Sequence, residues 1–354
     1  MIDDVIETLS YPSFNPAFVP VLVDENTGHL RAGAWDGPIK TLRDPEGDGD
    51  IQRLFDGLDG QTHVTELLDE FDQHNRSDVA ELLLMLHDEA IIYDTQSRSS
   101  AWAHTALNPD MKAKESTAIR GESVFVVSNG SLGRQLAGDI VAQGLDDVVL
   151  ASMQPADDTS RDRPQPTFSE VELTEAQLQS EIEDASFVVA CSDRPHRDLF
   201  ELVNQLAIET ETPWTAGQIL GRNGVVGPTV FPGETACYAC FEQRLLSNVS
   251  TVEHCKQYLA AGSGQDRSTH VTPLERIVSG YLSLDLFNLL AYGSGYTAGR
   301  VLTIDSLTLS FSSEDVLRVP RCSACAATRT AGENTFLTVS DLADLIGNRE
   351  GTDR

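Results

Sequence analysis

The stretch Pro232-Gly-Glu-Thr-Ala-Cys-Tyr-Ala-Cys240 is answered much later by Pro320-Arg-Cys-Ser-Ala-Cys325. Each is a Cys-x-x-Cys knuckle, pairing Cys237 with Cys240 and Cys322 with Cys325. Two residues between cysteines let both thiolates point at one tetrahedral ion. Two knuckles complete a four-thiolate shell with no position left for water, the arrangement of structural and not catalytic zinc. Disulfides and a thiol–disulfide redox motif are the alternatives. The redox motif belongs at a strand-to-helix turn of a thioredoxin-like unit, and two copies argue against it. The rest of the chain must bring these two knuckles together.

A chain of 354 residues points to two domains, and 40% hydrophobic residues supply real cores. The charge is extreme, with 55 acidic against 25 basic residues and a formal −30. Lysine occurs only at positions 40, 112, 114 and 256, and the acid is spread along the chain. Such a surface stays soluble in high salt, where screening removes most self-repulsion, so a halophilic source is expected. The same sign of charge argues against nucleic acid and anionic membranes as partners. No apolar run reaches the ~20 residues of a membrane helix. The start, Met1-Ile-Asp-Asp-Val-Ile-Glu7, lacks the basic residues of a secretory signal. Six cysteines, four of them at metal spacing, fit a reducing cytoplasm.

Residues 1–95 read as a first domain. Val19–Val23, His29–Trp35 and Ile39–Leu42 have strand character. Ile51, Leu54, Phe55 and Leu58 then recur at helical spacing up to Gly60. Thr62 is the expected cap of a helix His63–Phe71, and Ser77 of a helix carrying Val79, Leu82, Leu83, Leu86 and Ala90. Three strands and three helices in ~75 residues make a winged-helix-like module. The strings Leu54-Phe-Asp-Gly-Leu-Asp-Gly60, Val64-x-x-Leu67 and Asp88-Glu-Ala-Ile-Ile92 resemble a RiPP recognition element. That is the PqqD-like domain that clamps the leader of a precursor peptide. An edge strand can take an extended peptide by main-chain pairing, beside a helix groove for its apolar side chains. Ile39, Thr41 and Leu42 on the strand and Leu82, Leu83 and Leu86 on the helix are the candidates, with ordinary core as the alternative for each leucine. The helix over 77–89 has no lysine or arginine, against DNA binding. Residues 96–120, with Ser97-Arg-Ser-Ser100 and Asn108-Pro109, form a linker.

Residues 121–330 read as a second domain. Strand Glu122–Ser128, turn Asn129-Gly-Ser-Leu-Gly133, helix Arg134–Gly144 and strand Val148–Ser152 open it as a βαβ unit. A strand ending near Leu173, a helix Glu175–Asp184, a strand Ser186–Cys191 and a helix His196–Ile208 follow. Pro213–Ala216 and Val225–Phe231 add extended pieces. This alternation predicts an α/β fold, a parallel sheet between helices. Cys191-Ser-Asp-Arg-Pro-His-Arg197, Gly227-Pro-x-x-Phe-Pro-Gly-x-x-Ala-Cys237-x-x-Cys240-x-x-x-Arg244 and Val319-Pro-Arg-Cys-x-x-Cys325 resemble the ThiF/MoeB family from Gly121 to about Ala327. The resemblance implies a Rossmann-like domain that adenylates a C-terminal carboxylate with ATP.

The nucleotide residues depart from that pattern. Ser128 stands where the first glycine of Gly-x-Gly-x-x-Gly belongs, and only Gly130 and Gly133 remain. Leu150-Ala-Ser-Met153 holds no acid for a ribose, and Arg161 and Arg163 lie in a loop that does not align. Asp193 matches the magnesium-side aspartate, but Arg194 replaces the neighbouring asparagine. Gly130, Gly133 and Asp193 therefore read as a vestigial site, with ATP not expected. Cys255, between His254 and Lys256, corresponds to a thioester-forming cysteine of some relatives or is incidental. Cys191 ends a buried strand and reads as core. The tail 331–354 holds one short amphipathic helix with Leu342, Leu345 and Ile346.

A peptide clamp joined to a zinc-bearing ThiF-like domain resembles the ocin-ThiF-like, or cyclodehydratase C-type, proteins of thiazole/oxazole-modified peptide biosynthesis. The resemblance implies a non-catalytic subunit that binds a precursor leader and presents it to a YcaO-type cyclodehydratase. It also implies a flavin-dependent azoline dehydrogenase as a further partner, and a homodimer. The alternative is an ATP-dependent adenylyltransferase acting on a peptide or sulfur-carrier C-terminus.

Overall fold

The computed structural model describes residues 2–31, 33–35, 40–96, 121–152, 168–171, 175–261 and 272–326. Ile39, the loop arginines 161 and 163, most of the linker and the tail lie outside them.

The N-terminal unit runs α1 (Ile2–Thr8), β1 (Pro12–Phe14), β2 (Val19–Asp24), β3 (Thr27–Arg31), β4 (Lys40–Arg43), α2 (Asp50–Gly57), α3 (Val64–Asp69), α4 (Arg76–Asp88) and β5 (Ile92–Asp94). The strands β2, β3 and β4 form an antiparallel sheet in that order, while β1 pairs with β5. Leu30, Leu42, Ile51, Leu54, Leu67, Leu83 and Leu86 close one core between this sheet and the helices. Two helix starts differ from the expected ones. His63, not Thr62, caps α3, its Nδ1 accepting from Thr65 N at 3.3 Å. The Thr62 amide is instead drawn onto the Asp59 carboxylate at 2.8 Å, which keeps that residue in the loop. Asn75 precedes α4, so Ser77 lies inside the first turn.

The second unit is an eight-stranded sheet between two helical layers. Its elements are β6 (Ser123–Asn129), α5 (Leu132–Ala142), β7 (Asp147–Ser152), β8 (Ser169–Val171), α6 (Glu175–Asp184), β9 (Phe187–Ser192), α7 (Arg197–Glu209), β10 (Trp214–Leu220) and β11 (Asn223–Val230). There follow α8 (Tyr238–Asn248), α9 (Val252–Ala261), α10 (Thr272–Tyr292), β12 (Arg300–Asp305) and β13 (Ser310–Asp315). The order is β13-β12-β11-β10-β9-β6-β7-β8.

Five strands, β10-β9-β6-β7-β8, are parallel, as the βαβ alternation predicts. The sheet as a whole is mixed, which corrects the fully parallel expectation. Only Gly221 and Arg222 separate β10 from β11, and a connection that short joins antiparallel neighbours. β12 and β13 extend that antiparallel half. Residues of α6, α7 and α8 fill one face, around Phe200, Trp214 and Tyr238. α5 and the long α10 fill the other.

Candidate functional site

The parallel half of the sheet brings α7 beside α8, and Cys237 heads α8. The second knuckle sits just beyond β13, where the chain runs back along α8. Arg244 holds this return segment by donating to the carbonyls of Leu317 and, at 3.2 Å, Arg318. All four knuckle cysteines are buried, and their sulfurs lie within 4.8 Å of one another. Cys237 Sγ is 3.8 Å from Cys240 Sγ and 3.7 Å from Cys322 Sγ, and Cys240 Sγ is 3.6 Å from Cys325 Sγ. A tetrahedral ion with metal–sulfur bonds of about 2.3 Å holds its sulfurs about 3.8 Å apart, whereas a disulfide closes to about 2.05 Å. The spacing fits the ion.

The electrostatics point the same way. A hydrogen bond from the Cys237 thiol holds the Cys240 thiol below its ordinary value, and the Val319 N–H adds to it at 3.3 Å. The reciprocal hydrogen bond to Cys240, with burial, pushes Cys237 up, and burial raises Cys325 to about 11. Four thiols this close cannot all ionise without a cation among them. Arg197 braces the knuckle from α7, its Nη2 donating to Glu242 Oε2 of α8 at 2.9 Å. Single residues in the sequence gave no sign of this pairing.

The glycine turn lies between β6 and α5. Gly130 has φ of 103°, and a Cβ there would meet the Asp193 carboxylate at 2.1 Å. Asp193 is 1% exposed. Its Oδ2 accepts from the Ser131 amide at 3.1 Å, and its Oδ1 from Arg194 Nε at 3.0 Å. Ser128 Oγ accepts from the Gly133 amide at 3.1 Å and donates to Gly130 O at 3.3 Å. Two of the amides at this helix start, those of Ser131 and Gly133, are therefore taken by the chain's own oxygens. Gly130, Gly133 and Asp193 do come together, around a carboxylate. Cys191 is core, its thiol raised by burial to about 12. Cys255 lies half-buried on α9, away from the other cysteines of the cluster.

In the N-terminal unit β4 pairs with β3 on one side and, among the described residues, with no strand on the other. The Asp44 amide donates to Asn26 O at 2.8 Å, continuing the β3–β4 register. By the alternation of an antiparallel ladder, Thr41 and Arg43 turn their backbone groups to the open side. Lys40 forms an ion pair with Glu89, which sets the end of α4 beside this strand. Leu83 and Leu86 are fully buried and Leu42 nearly so, which corrects their assignment to a groove: they are core. Leu82 is half-buried, and Met85, 39% exposed, lies on the same side of α4. Met85 was missed because five apolar residues in a row, 82–86, hide which side is buried.

The ThiF family model matches residues 165–325. That span includes Asp193 and both knuckles but begins after the glycine turn. No curated protein matches the chain. Among solved structures, E. coli MccB with AMPCPP and MccA is similar at 15% identity, with a TM-score of 0.54, covering 89% of this chain and 99% of that one. The heterocyclase TruD is similar at 16% identity and a TM-score of 0.58. A heterocyclase in complex with substrate and cofactor follows at 14% and 0.59. This chain spans only 43% and 39% of those two. At such identities the likeness is one of fold, and it extends across both units of the chain. Among the described residues no helix is long and apolar enough to cross a membrane.

Proposed function

We propose that this chain binds an extended precursor peptide at its N-terminal unit and presents it to a YcaO-type cyclodehydratase. It does no chemistry itself. The observation that carries this reading is the open side of β4, with Thr41 and Arg43 turned outward, beside the Leu82–Met85 side of α4. A peptide added there gains main-chain hydrogen bonds from β4 and apolar contact from α4. Apolar burial contributes at ~25 cal/mol per Å², so a few leucine-sized residues support micromolar binding once ordering costs are subtracted. The filled glycine turn supports the absence of adenylation. Cys237, Cys240, Cys322 and Cys325 hold one zinc ion, which ties the return segment after β13 to α8. The MccB structure with MccA and the heterocyclase with substrate support the reading as relatives in fold.

Fluorescence polarisation tests it, with labelled leader peptides of precursors encoded beside this gene. Binding in the micromolar range is expected in molar salt. Thr41→Pro removes an outward amide without touching the β3 ladder, and Leu82→Glu puts a charge beside Met85. Each should weaken binding at least tenfold. Unchanged affinity in both variants would overturn the site. ATP–pyrophosphate exchange by the isolated chain would instead favour the adenylyltransferase.

A further inference from the structure

Residues directly opposed across an antiparallel pair share one face of the sheet. In the N-terminal sheet Arg31 opposes Val19, His29 opposes Thr41, and Thr27 opposes Arg43. The alternate residues Leu30 and Leu42 point into the core, so these six lie on the outer face. The charge of that face runs against the charge of the chain. The sequence holds 55 acidic residues to 25 basic, yet the outer face carries Arg31 and Arg43. Its acid, among the described residues, is Asp24 alone, in the β2–β3 turn, where Oδ1 accepts from the Asn26 amide at 2.9 Å.

Arg43 is also unused. Among the described residues of this unit, Lys40 holds Glu89, Arg53 holds Asp50 and Arg76 holds Asp69. Arg31 donates to the carbonyls of Gly33 and Ala34. Arg43 is exposed and pairs with no carboxylate among the described residues. Its neighbour Asp44 is committed to its own loop, where its carboxylate accepts from the amides of Glu46, Gly47, Asp48, Gly49 and Asp50 at 2.8–3.3 Å. An exposed cation left alone in so acidic a chain is complementary to an acid that arrives from outside.

We propose that Arg43 selects an acidic residue of the bound peptide, an inference that rests on the peptide-binding reading of β4. A strand added antiparallel to β4 sets one residue directly opposite Arg43, with its Cα about 5.5 Å away and its side chain on the outer face. The residues before and after it turn to the other face, toward Leu82 and Met85 of α4. The ligand is therefore an extended segment in which apolar side chains flank one aspartate or glutamate. Lysine or arginine at that register meets Arg43 as a like charge and is rejected. A slip of one residue would carry the acid over α4 and an apolar side chain beside Arg43, so the pair also fixes register. It sets choice and register more than affinity, because an exposed ion pair contributes little and salt screens it.

Fluorescence polarisation of the full chain tests this, with a labelled leader encoded beside this gene and each of its aspartates and glutamates changed to lysine in turn. Titrations run at the lowest salt at which the chain keeps its melting curve, and again in molar KCl. One of the lysine leaders should bind about fivefold more weakly than the parent leader at the lower salt, and the difference should shrink in molar KCl. Arg43→Glu should weaken the parent leader by a similar factor, restore that one lysine leader, and leave the thermal midpoint unchanged. Thr41→Pro separates this inference from the reading beneath it. If Thr41→Pro weakens binding while Arg43→Glu and every lysine leader behave as the parents do, strand addition stands and selection by Arg43 is overturned. A weakened lysine leader that Arg43→Glu does not restore overturns it as well, since overall charge then acts and not the pair. If neither Thr41→Pro nor Arg43→Glu changes binding, the edge is not the site and both fall.

Discussion

The cysteine cluster and the glycine turn are two buried polar sites of the same α/β unit, and they differ in what completes them. At the cluster, four sulfurs surround a point where the chain has no atom of its own to offer. Their spacing matches the corners of a tetrahedral ion site. At the turn, the helix start and its glycines keep the shape of a phosphate cradle, but Asp193, Ser128 and Arg194 fill it from within. The cluster has room for an ion among its sulfurs, while part of the turn is occupied by the chain's own carboxylate.

The largest expected effect is at the cluster. Metal analysis should find one zinc per chain. Cys237→Ser, or a strong chelator, should abolish cooperative unfolding of the second unit, since structural zinc contributes on the order of 10 kcal/mol to folding. A Cys237→Ser protein with the parent's melting curve would erase the contrast between the two sites.

Next comes Asp193→Ala, which removes the carboxylate shared by Arg194 and the Ser131 amide. A loss of about 3 kcal/mol in denaturant unfolding is expected. If calorimetry then showed the variant binding ATP, the turn would be a cradle that Asp193 merely blocks, a sharper form of the same comparison. Gly130→Ala should cost about 2–3 kcal/mol, from its positive φ and the crowding of Asp193. Combined with Asp193→Ala it should cost less than the sum, because the two changes relieve one contact. Additive losses would mean that strain alone matters there. The smallest effect belongs to Ser131→Ala. Its hydroxyl is 3.4 Å from Asp193 while its amide is retained, so about 0.5 kcal/mol or less is expected.

How far the sequence could be read followed the range of the interactions involved. Cys-x-x-Cys spacing is local, so both knuckles were legible before any fold was known. The βαβ alternation was equally legible, and the helix Glu175–Asp184 falls where its periodicity placed it. The run Leu82-Leu-Leu-Met-Leu86 was not, because consecutive apolar residues carry no phase. Packing of α4 against α1, α3 and β5 put Leu83 and Leu86 fully inside, left Leu82 half-buried and left Met85 exposed. The 21-residue α10 gave no amphipathic signal, since it buries residues on nearly every side, and β13 is polar enough to pass for loop.

By itself, then, the sequence determined the four cysteines of the cluster, the order of strands and helices, and an acidic composition, all properties of single residues or short spacings. Tertiary structure decided three further things: that the knuckles meet beside α8, that Asp193 packs into the turn, and that β4 and β13 lie at sheet edges among the described residues. Each of these depends on groups far apart in the chain being held within a few ångströms, and only the packed sheet fixes those distances.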